Sequence, residues 1–293
     1  MRIRKLLNFF LKRGDKKLSN DLNSIIEKFN ILDLGAAGGI DKRWDIISTN
    51  NKKIFLAEPH PFSHEDLKIN NENVINKLFY KEILNKKKLY LTKKPECSSM
   101  LKPNYDYIKN FQNPDRYNII DELECETTTV DNEFNNISLD FIKIDTQGSE
   151  FDILIGAENK LKRILGLEIE CCFFQIYEKQ KLFDDIRIKL EESNFIFNDF
   201  LEIIRWEKNK FSKLGQPQFA NVLFLKSLDS ILKIYKEENL NENILNNYIS
   251  LLTVYNRIDL LIEFYDKVKN YKHNKTLKKI IEKVSIRTKR INQ

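Results

Sequence analysis

The stretch Phe141–Ala157, "FIKIDTQGSEFDILIGA", gathers Asp145, Gln147 and Glu150 around Gly148. The apolar run before Asp145 reads as a buried strand, and the residues after Glu150 read as a helix. A carboxylate ending a buried strand is costly unless it is paired or used. Asp145 is therefore a candidate general base or metal ligand. Gln147 cannot take a proton, so its place in a catalytic group is that of a hydrogen-bonding positioner. An acid such as Glu150 in a first helical turn favours the dipole whatever its chemistry, and Thr146 could cap that helix. Beside that capping reading stands a role for Glu150 in holding a substrate. Glu170, in the run "ILGLEIECC" (164–172), joins Asp145 and Gln147 as a catalytic candidate. Glu168 faces the same side as Glu170, because alternate strand residues share a face; pairing with a lysine such as Lys143 would account for it. Paired carboxylates at 145 and 170 could hold Mg²⁺ with its waters retained. No third ligand can be named, so no metal is assigned.

A second group of residues has the spacing of a nucleotide site. "FNILDLGAAGG" (29–39) runs from apolar residues into a glycine-rich turn. A dinucleotide fingerprint from Gly35 needs glycine at 37 and 40, where Ala37 and Ile40 stand. The form acidic-x-G-x-G-x-G, aligned on Asp33, finds Gly35, Ala37 and Gly39, two of three glycines. That form suits S-adenosylmethionine, which has no pyrophosphate to cradle. Glu58 follows the apolar run "KIFLA", 19 residues after Gly39, where an acid grips ribose hydroxyls. Asp33, Gly35, Ala37, Gly39, Glu58 and Asp145 are thus the cofactor candidates, with His60 at the adenine edge. His60 and His64 have i, i+4 spacing, but Pro61 lies between them and further Cys or His ligands for zinc are wanting.

The elements that must carry these residues are legible. Short continuous apolar runs at 29–34, 54–57, around Val74, 139–145 and 164–172 alternate with helical patterns. "FIFNDF", "LEIIRW" and "ANVLFLK" supply closing strands. Phe151, Leu154, Ile155 and Leu161 mark one helical stripe, and Leu182, Ile186 and Leu190 another. This predicts an α/β fold: a doubly wound, Rossmann-like, seven-stranded and mostly parallel sheet. The region from "KKKLYLTKK" to "ELECETTTVD" reads as an insertion of short alternating strands. In such sheets ligands bind beyond the C-terminal strand ends, where all the polar candidates fall. After Lys226 every segment is helix-periodic and glycine is absent. The expected domains are 1–227, with 1–28 as an N-terminal helical segment, and a C-terminal all-α appendage over 228–293.

Composition narrows the function classes. The 293 residues are 42% hydrophobic and 31% charged, which suits a packed core rather than disorder. The net charge of +6 is uneven: residues 1–20 carry +6, residues 267–293 carry +9, and residues 21–266 carry −9. An acidic middle argues against a polynucleotide substrate, so no nucleic-acid partner is expected. Cys97, Cys125, Cys171 and Cys172 form no Cys-x-x-Cys pair, and Cys171 and Cys172 read as core thiols. The pattern fits a reducing cytoplasm. The start, "MRIRKLLNFFLKRGDKK", is basic with a short apolar run and lacks a cleavage site. A first helix packed on the domain is preferred, with peripheral contact to the inner membrane surface through the basic N-terminus as the alternative.

With these motifs assembled, the chain resembles the FkbM family of class I S-adenosylmethionine-dependent methyltransferases over about Phe29 to Phe224. The resemblance rests on "ILDLGAAGG", "AEPHP", "SSML", "TTTVDNEF", "LDFIKIDTQGSE" followed by "ILIGAENKL", and "FANVLFLK". Three positions depart from the family pattern: Ala37 for the middle glycine, Gln147 for an acid, and Asn221 for an aspartate. The resemblance implies O-methylation of a small-molecule or glycan hydroxyl, and it places Ser98 and Ser99 at the acceptor pocket, although a polar loop would also explain them. The competing readings are an NAD(P)-dependent oxidoreductase and a non-catalytic module whose helical tail is its contact surface.

Overall fold

The apolar runs become the strands. The computed structural model describes residues 16–36, 39–59, 73–209 and 214–291. Its strands are β1 (Phe29–Leu34), β2 (Lys52–Ala57), β3 (Val74–Ile75), β4 (Leu78–Phe79), β5 (Lys87–Thr92), β6 (Ile119–Cys125), β7 (Thr127–Thr128), β8 (Phe141–Ile144), β9 (Gly166–Cys172), β10 (Phe195–Trp206) and β11 (Gln216–Lys226). Seven form one sheet in the order β10-β11-β9-β8-β1-β2-β3. β8 pairs parallel with β1 and β9, β2 pairs parallel with β3, and β11 runs antiparallel between β9 and β10. The expected doubly wound, mostly parallel seven-stranded sheet is present. Every residue of β1 and β9 is buried, as in a sheet covered on both faces. The strand order reverses between β1 and β8, the switch point where such sheets bind ligands.

The chain divides into two compact units. One comprises Asn30–Gly39 and Ile54–Ser227; the other comprises Met1–Phe29, Ile40–Lys53 and Leu228–Gln293. In the first, helices Glu150–Ile155, Glu158–Leu161 and Phe183–Glu191 bury Leu154, Leu161, Ile186 and Leu190 in the main core. The stripe expected as one helix over 151–161 is two, broken at Gly156. A Cβ at that glycine would come within 2.2 Å of the Tyr80 carbonyl oxygen, so the close approach requires glycine.

Two strand expectations differ from the structure. "NVINKLFY" is not one strand: the polar pair Asn76–Lys77 separates β3 from β4, and β4 pairs with β7 instead of continuing in the main sheet. "FIFNDF" and "LEIIRW" are a single strand, β10, with register shifts at 197/199, 200/202 and 204/205. The expected insertion before β8 is there: β5 pairs antiparallel with β6, and Tyr90 bridges to Ser99.

In the second unit, four helices follow Ser227: Leu228–Glu237, Glu242–Val254, Ile258–Lys267 and Asn274–Ile291. Every residue from Leu245 to Val254 is buried, which makes Glu242–Val254 the central helix. Its buried Asn247 donates to the Lys28 carbonyl at 2.8 Å. Trp44 packs 5.5 Å from Phe29 and 6.0 Å from Tyr255. The Lys283 ammonium pairs with Asp21. Residues 16–29 therefore pack on the tail helices, whereas residues 1–15, which include the basic start, lie outside the described residues. Among the described residues no helix is long and apolar enough to cross a membrane.

Candidate active site

The turn Asp145–Ser149 is the centre of the site. The Asp145 N–H donates to the Leu34 carbonyl at 2.9 Å, extending the parallel β1–β8 ladder by one step. The chain then turns through Gln147 (φ 57°) and Gly148 (φ 111°). Only glycine is at ease at the second angle, and a Cβ there would press on Leu101 and Tyr177 at 3.2 Å. On the neighbouring strand Gly35 (φ 84°) turns so tightly that a Cβ would sit 1.8 Å from the Asp145 carbonyl oxygen. The two glycine turns thus lie against each other at the switch point.

Glu150 builds the turn. Its carboxylate accepts from the Thr146 and Gly148 N–H groups at 3.0 Å and from the Thr146 hydroxyl at 3.2 Å. Burial pushes its pKa up to about 7 against those donors. Thr146 does not cap the helix as expected, because Ser149 occupies the N-cap position and the Thr146 hydroxyl is donated to Glu150.

Gln147 is the hub. Its Nε2 donates to Asp145 Oδ1 at 2.9 Å and to Glu170 Oε1 at 3.0 Å. Its Oε1 accepts from the Tyr177 hydroxyl at 3.0 Å, a proton shared with the Cys97 carbonyl at 2.9 Å. Its backbone carbonyl accepts from Ser99 Oγ at 2.6 Å. Glu170 is raised well above the usual carboxylate range by burial, then by the charges of Asp145 and Glu150.

One row deeper lies a second polar layer. Asp33, Lys143 and Glu168 are in register across β1, β8 and β9. The Lys143 ammonium is 3.3 Å from Asp33 Oδ1 and 4.0 Å from Asp145 Oδ2. Burial alone would pull its pKa down, but Asp33, Asp145 and Glu168 outweigh burial and raise it. Burial pushes the Asp33 carboxyl up to about 6 in spite of the Lys143 ammonium beside it, with smaller upward contributions from the charges of Asp145 and Glu168.

Above the turn opens a cavity of about 290 Å³. Of the sequence candidates it brings together Gly35, Gly39, Glu58, Asp145, Gln147 and Ser98. It does not expose the others. Asp33 lies beneath Lys143, which itself reaches the wall, Glu170 stands behind Gln147, Ser99 is spent on the Gln147 carbonyl, and Glu150 is turned into its own loop. Ala37 and His60 lie outside the described residues. Sequence reasoning missed Tyr177, which sits in a loop of no periodic pattern, and the wall formed by Lys77, Phe79, Glu96 and Met100. The bridge from Tyr90 to Ser99 carries Ser98 and Met100 to the wall. Among the described residues no three acids, cysteines or histidines are grouped as a metal would need.

The cavity suits S-adenosylmethionine chemically. Glu58, buried just past the end of β2, lines the cavity, and an acid there could accept from ribose hydroxyls. A Cβ at Gly39 (φ 71°) would meet nothing within 4 Å, so that turn faces open space. Carboxylates at 58, 96 and 145 line a space for a sulfonium cation. The same acids would repel a pyrophosphate, and the chain after the glycine turn enters a five-residue 3-10 turn (Lys42–Ile46) rather than an anion-binding helix. Among the described residues these features favour S-adenosylmethionine over NAD(P).

A doubly wound sheet with an antiparallel β11, a glycine turn and strand-end acids at its switch point defines a class I methyltransferase. Residues 33–197 match the model of the methyltransferase FkbM domain, and the chain belongs to that family. S-adenosylmethionine is its cofactor. No curated protein matches the chain. Among solved structures, an rRNA methylase from Streptococcus thermophilus is 10% identical, covering 72% of this chain and 94% of its own, with a TM-score of 0.32. M. capricolum TrmK, solved with S-adenosylhomocysteine, is 12% identical over 92% and 95% of the two chains, with a TM-score of 0.31. MtNAS, solved with MTA and tNA, is 10% identical with a TM-score of 0.30; the match covers 76% of this chain and 64% of MtNAS, less than two thirds of its length. Likeness at this level carries no argument about substrate.

Proposed function

We propose that the protein is an O-methyltransferase acting on a hydroxyl of a sugar, glycan or glycosylated metabolite. The observation that carries the reading is Asp145: a strand-end carboxylate that lines the cavity while its Oδ1 is held by Gln147. When bound, the cofactor supplies an electrophilic methyl group on a positively charged sulfur with a neutral leaving group. An alcohol is almost fully protonated at neutral pH, so the chain must align the hydroxyl and remove its proton. Asp145 would take up the hydroxyl proton as the acceptor oxygen receives the methyl group, leaving the neutral thioether to depart. Alignment supplies much of the barrier reduction, and a positioned base adds about 10²–10⁴-fold. Carboxylate, amide and serine groups on the wall offer sugar hydroxyls the partners they need.

The acceptor class is favoured over a polynucleotide by charge. Over its sequence, the unit that bears the cavity (residues 30–39 and 54–227) has 24 Lys/Arg against 30 Asp/Glu. The other unit has 25 against 13. A polyanion would meet repulsion where the chemistry takes place. The test is calorimetric titration with S-adenosylhomocysteine, followed by mass spectrometry of surface glycans from cells with and without the protein. Micromolar binding that Glu58→Ala weakens, with a methyl group lost from a glycan when the protein is absent, is the expected result. Unchanged glycans and methylated RNA instead would overturn the acceptor class.

A further inference from the structure

A single nitrogen stands between two acids. Gln147 Nε2 lies within hydrogen-bond distance of both Asp145 Oδ1 (2.9 Å) and Glu170 Oε1 (3.0 Å). The chemistry around the amide fixes which end is nitrogen: two carboxylates want donors, and the Tyr177 hydroxyl on the other side can donate to Oε1. Two carboxylates this close to one shared atom repel, and proteins commonly hold such pairs with a shared proton or a divalent cation. Here two amide hydrogens occupy that place. The backbone is set for it: Gln147 holds a left-handed φ of 57°, uncommon for a residue with a side chain, and Ser99 Oγ clamps its carbonyl at 2.6 Å.

We propose that Gln147 is a positioning residue that does the work of a bridging cation, holding Asp145 beside Glu170 while Asp145 Oδ2 stays available to receive the acceptor's proton. The inference rests on the reading of Asp145 as the base. It has a consequence for the family position at which an acid is more usual. Gln147→Glu replaces the two donors with a third carboxylate, so the turn then has to take up a proton or a divalent cation. The substitution thus installs a cation site that the amide now fills.

The test uses thermal melts of the full chain and of Gln147→Glu and Gln147→Met, with and without millimolar MgCl₂ or MnCl₂, below and above neutral pH. The wild type is expected to ignore the cation. Gln147→Glu is expected to gain about 2–4 °C per tenfold excess over its dissociation constant above neutrality. That gain shrinks below neutrality, where protons compete. Gln147→Met keeps S-adenosylhomocysteine binding, loses turnover, and shifts the pH–rate profile, because Asp145 then faces Glu170 unbridged. A folded Gln147→Glu with no cation response beyond that of the wild type overturns the proposal. So does a Gln147→Met enzyme with the wild-type turnover and pH profile, and this arm decides alone if Gln147→Glu fails to fold. The cation melts need no methyl transfer, so an inactive wild type would sink the proposed function and leave the bridge standing.

Discussion

Two polar layers lie one above the other at the ends of β8 and β9, and they are built on opposite principles. The deeper one, Asp33–Lys143–Glu168, has a cation at its centre; the outer one, Asp145–Gln147–Glu170, has an amide. An ammonium offsets part of its neighbours' charge. An amide orients carboxylates without cancelling their charge. In the deeper layer Asp33 is only 2% exposed and Lys143 alone reaches the cavity wall, whereas in the outer one Asp145 keeps 29% of its side-chain surface and lines the opening. The layers approach each other at Lys143, whose ammonium is 4.0 Å from Asp145 Oδ2.

Removing the charge of the outer layer has the largest expected effect. Asp145→Asn is expected to lower turnover by about 10²–10⁴-fold while S-adenosylhomocysteine titrations change little, because the amide keeps the shape and loses the base. Full activity in that variant would remove Asp145 from the chemistry. The next effect is on folding. Lys143→Met leaves buried Asp33 and Glu168 without their cation, and breaking such a group costs about 3–5 kcal/mol in denaturant melts. Asp33→Asn in the same chain should recover part of that loss; strict additivity of the two substitutions would show that the deeper layer is not a unit.

The sequence made the outer layer's residues visible but not their arrangement. Asp145 and Glu170 were legible as strand-end acids because strands are continuous apolar runs and their ends are marked by polarity. Asp33 and Glu58 were legible through spacing from the glycine turn. The roles of Glu150 and Ser99 were not legible, since both are set by which backbone groups a turn leaves unpaired. Tyr177 was out of reach altogether: its partners at Gln147 and Cys97 are 30 and 80 positions away. The strand pattern also misled where polarity is local, as at Asn76–Lys77, because one polar pair in an apolar run does not reveal that the next strand joins another sheet.

The smallest effect concerns how each layer responds to acid. Asp33 has its pKa raised to about 6 in the folded chain, from an ordinary value of 3.8. The folded state therefore binds more protons than the unfolded state between those values. Its contribution to stability is fully present below the lower value and is lost as pH rises through the upper one. Glu150, raised from 4.5 to about 7, acts in the same direction. Both groups oppose the usual loss of stability toward acid. Asp33→Asn is expected to steepen the fall in melting temperature between about pH 6 and pH 4 by a few degrees, because it deletes the group that gains from protonation. Glu150→Gln should steepen it between about pH 7 and pH 5, and also loosen the turn, since one carboxylate oxygen pair now serves three donors. Identical melting profiles across that range in wild type and Asp33→Asn would mean that Lys143 keeps Asp33 ionised in the folded chain. The deeper layer would then be a plain ion pair, and the contrast with the amide layer would rest on charge alone.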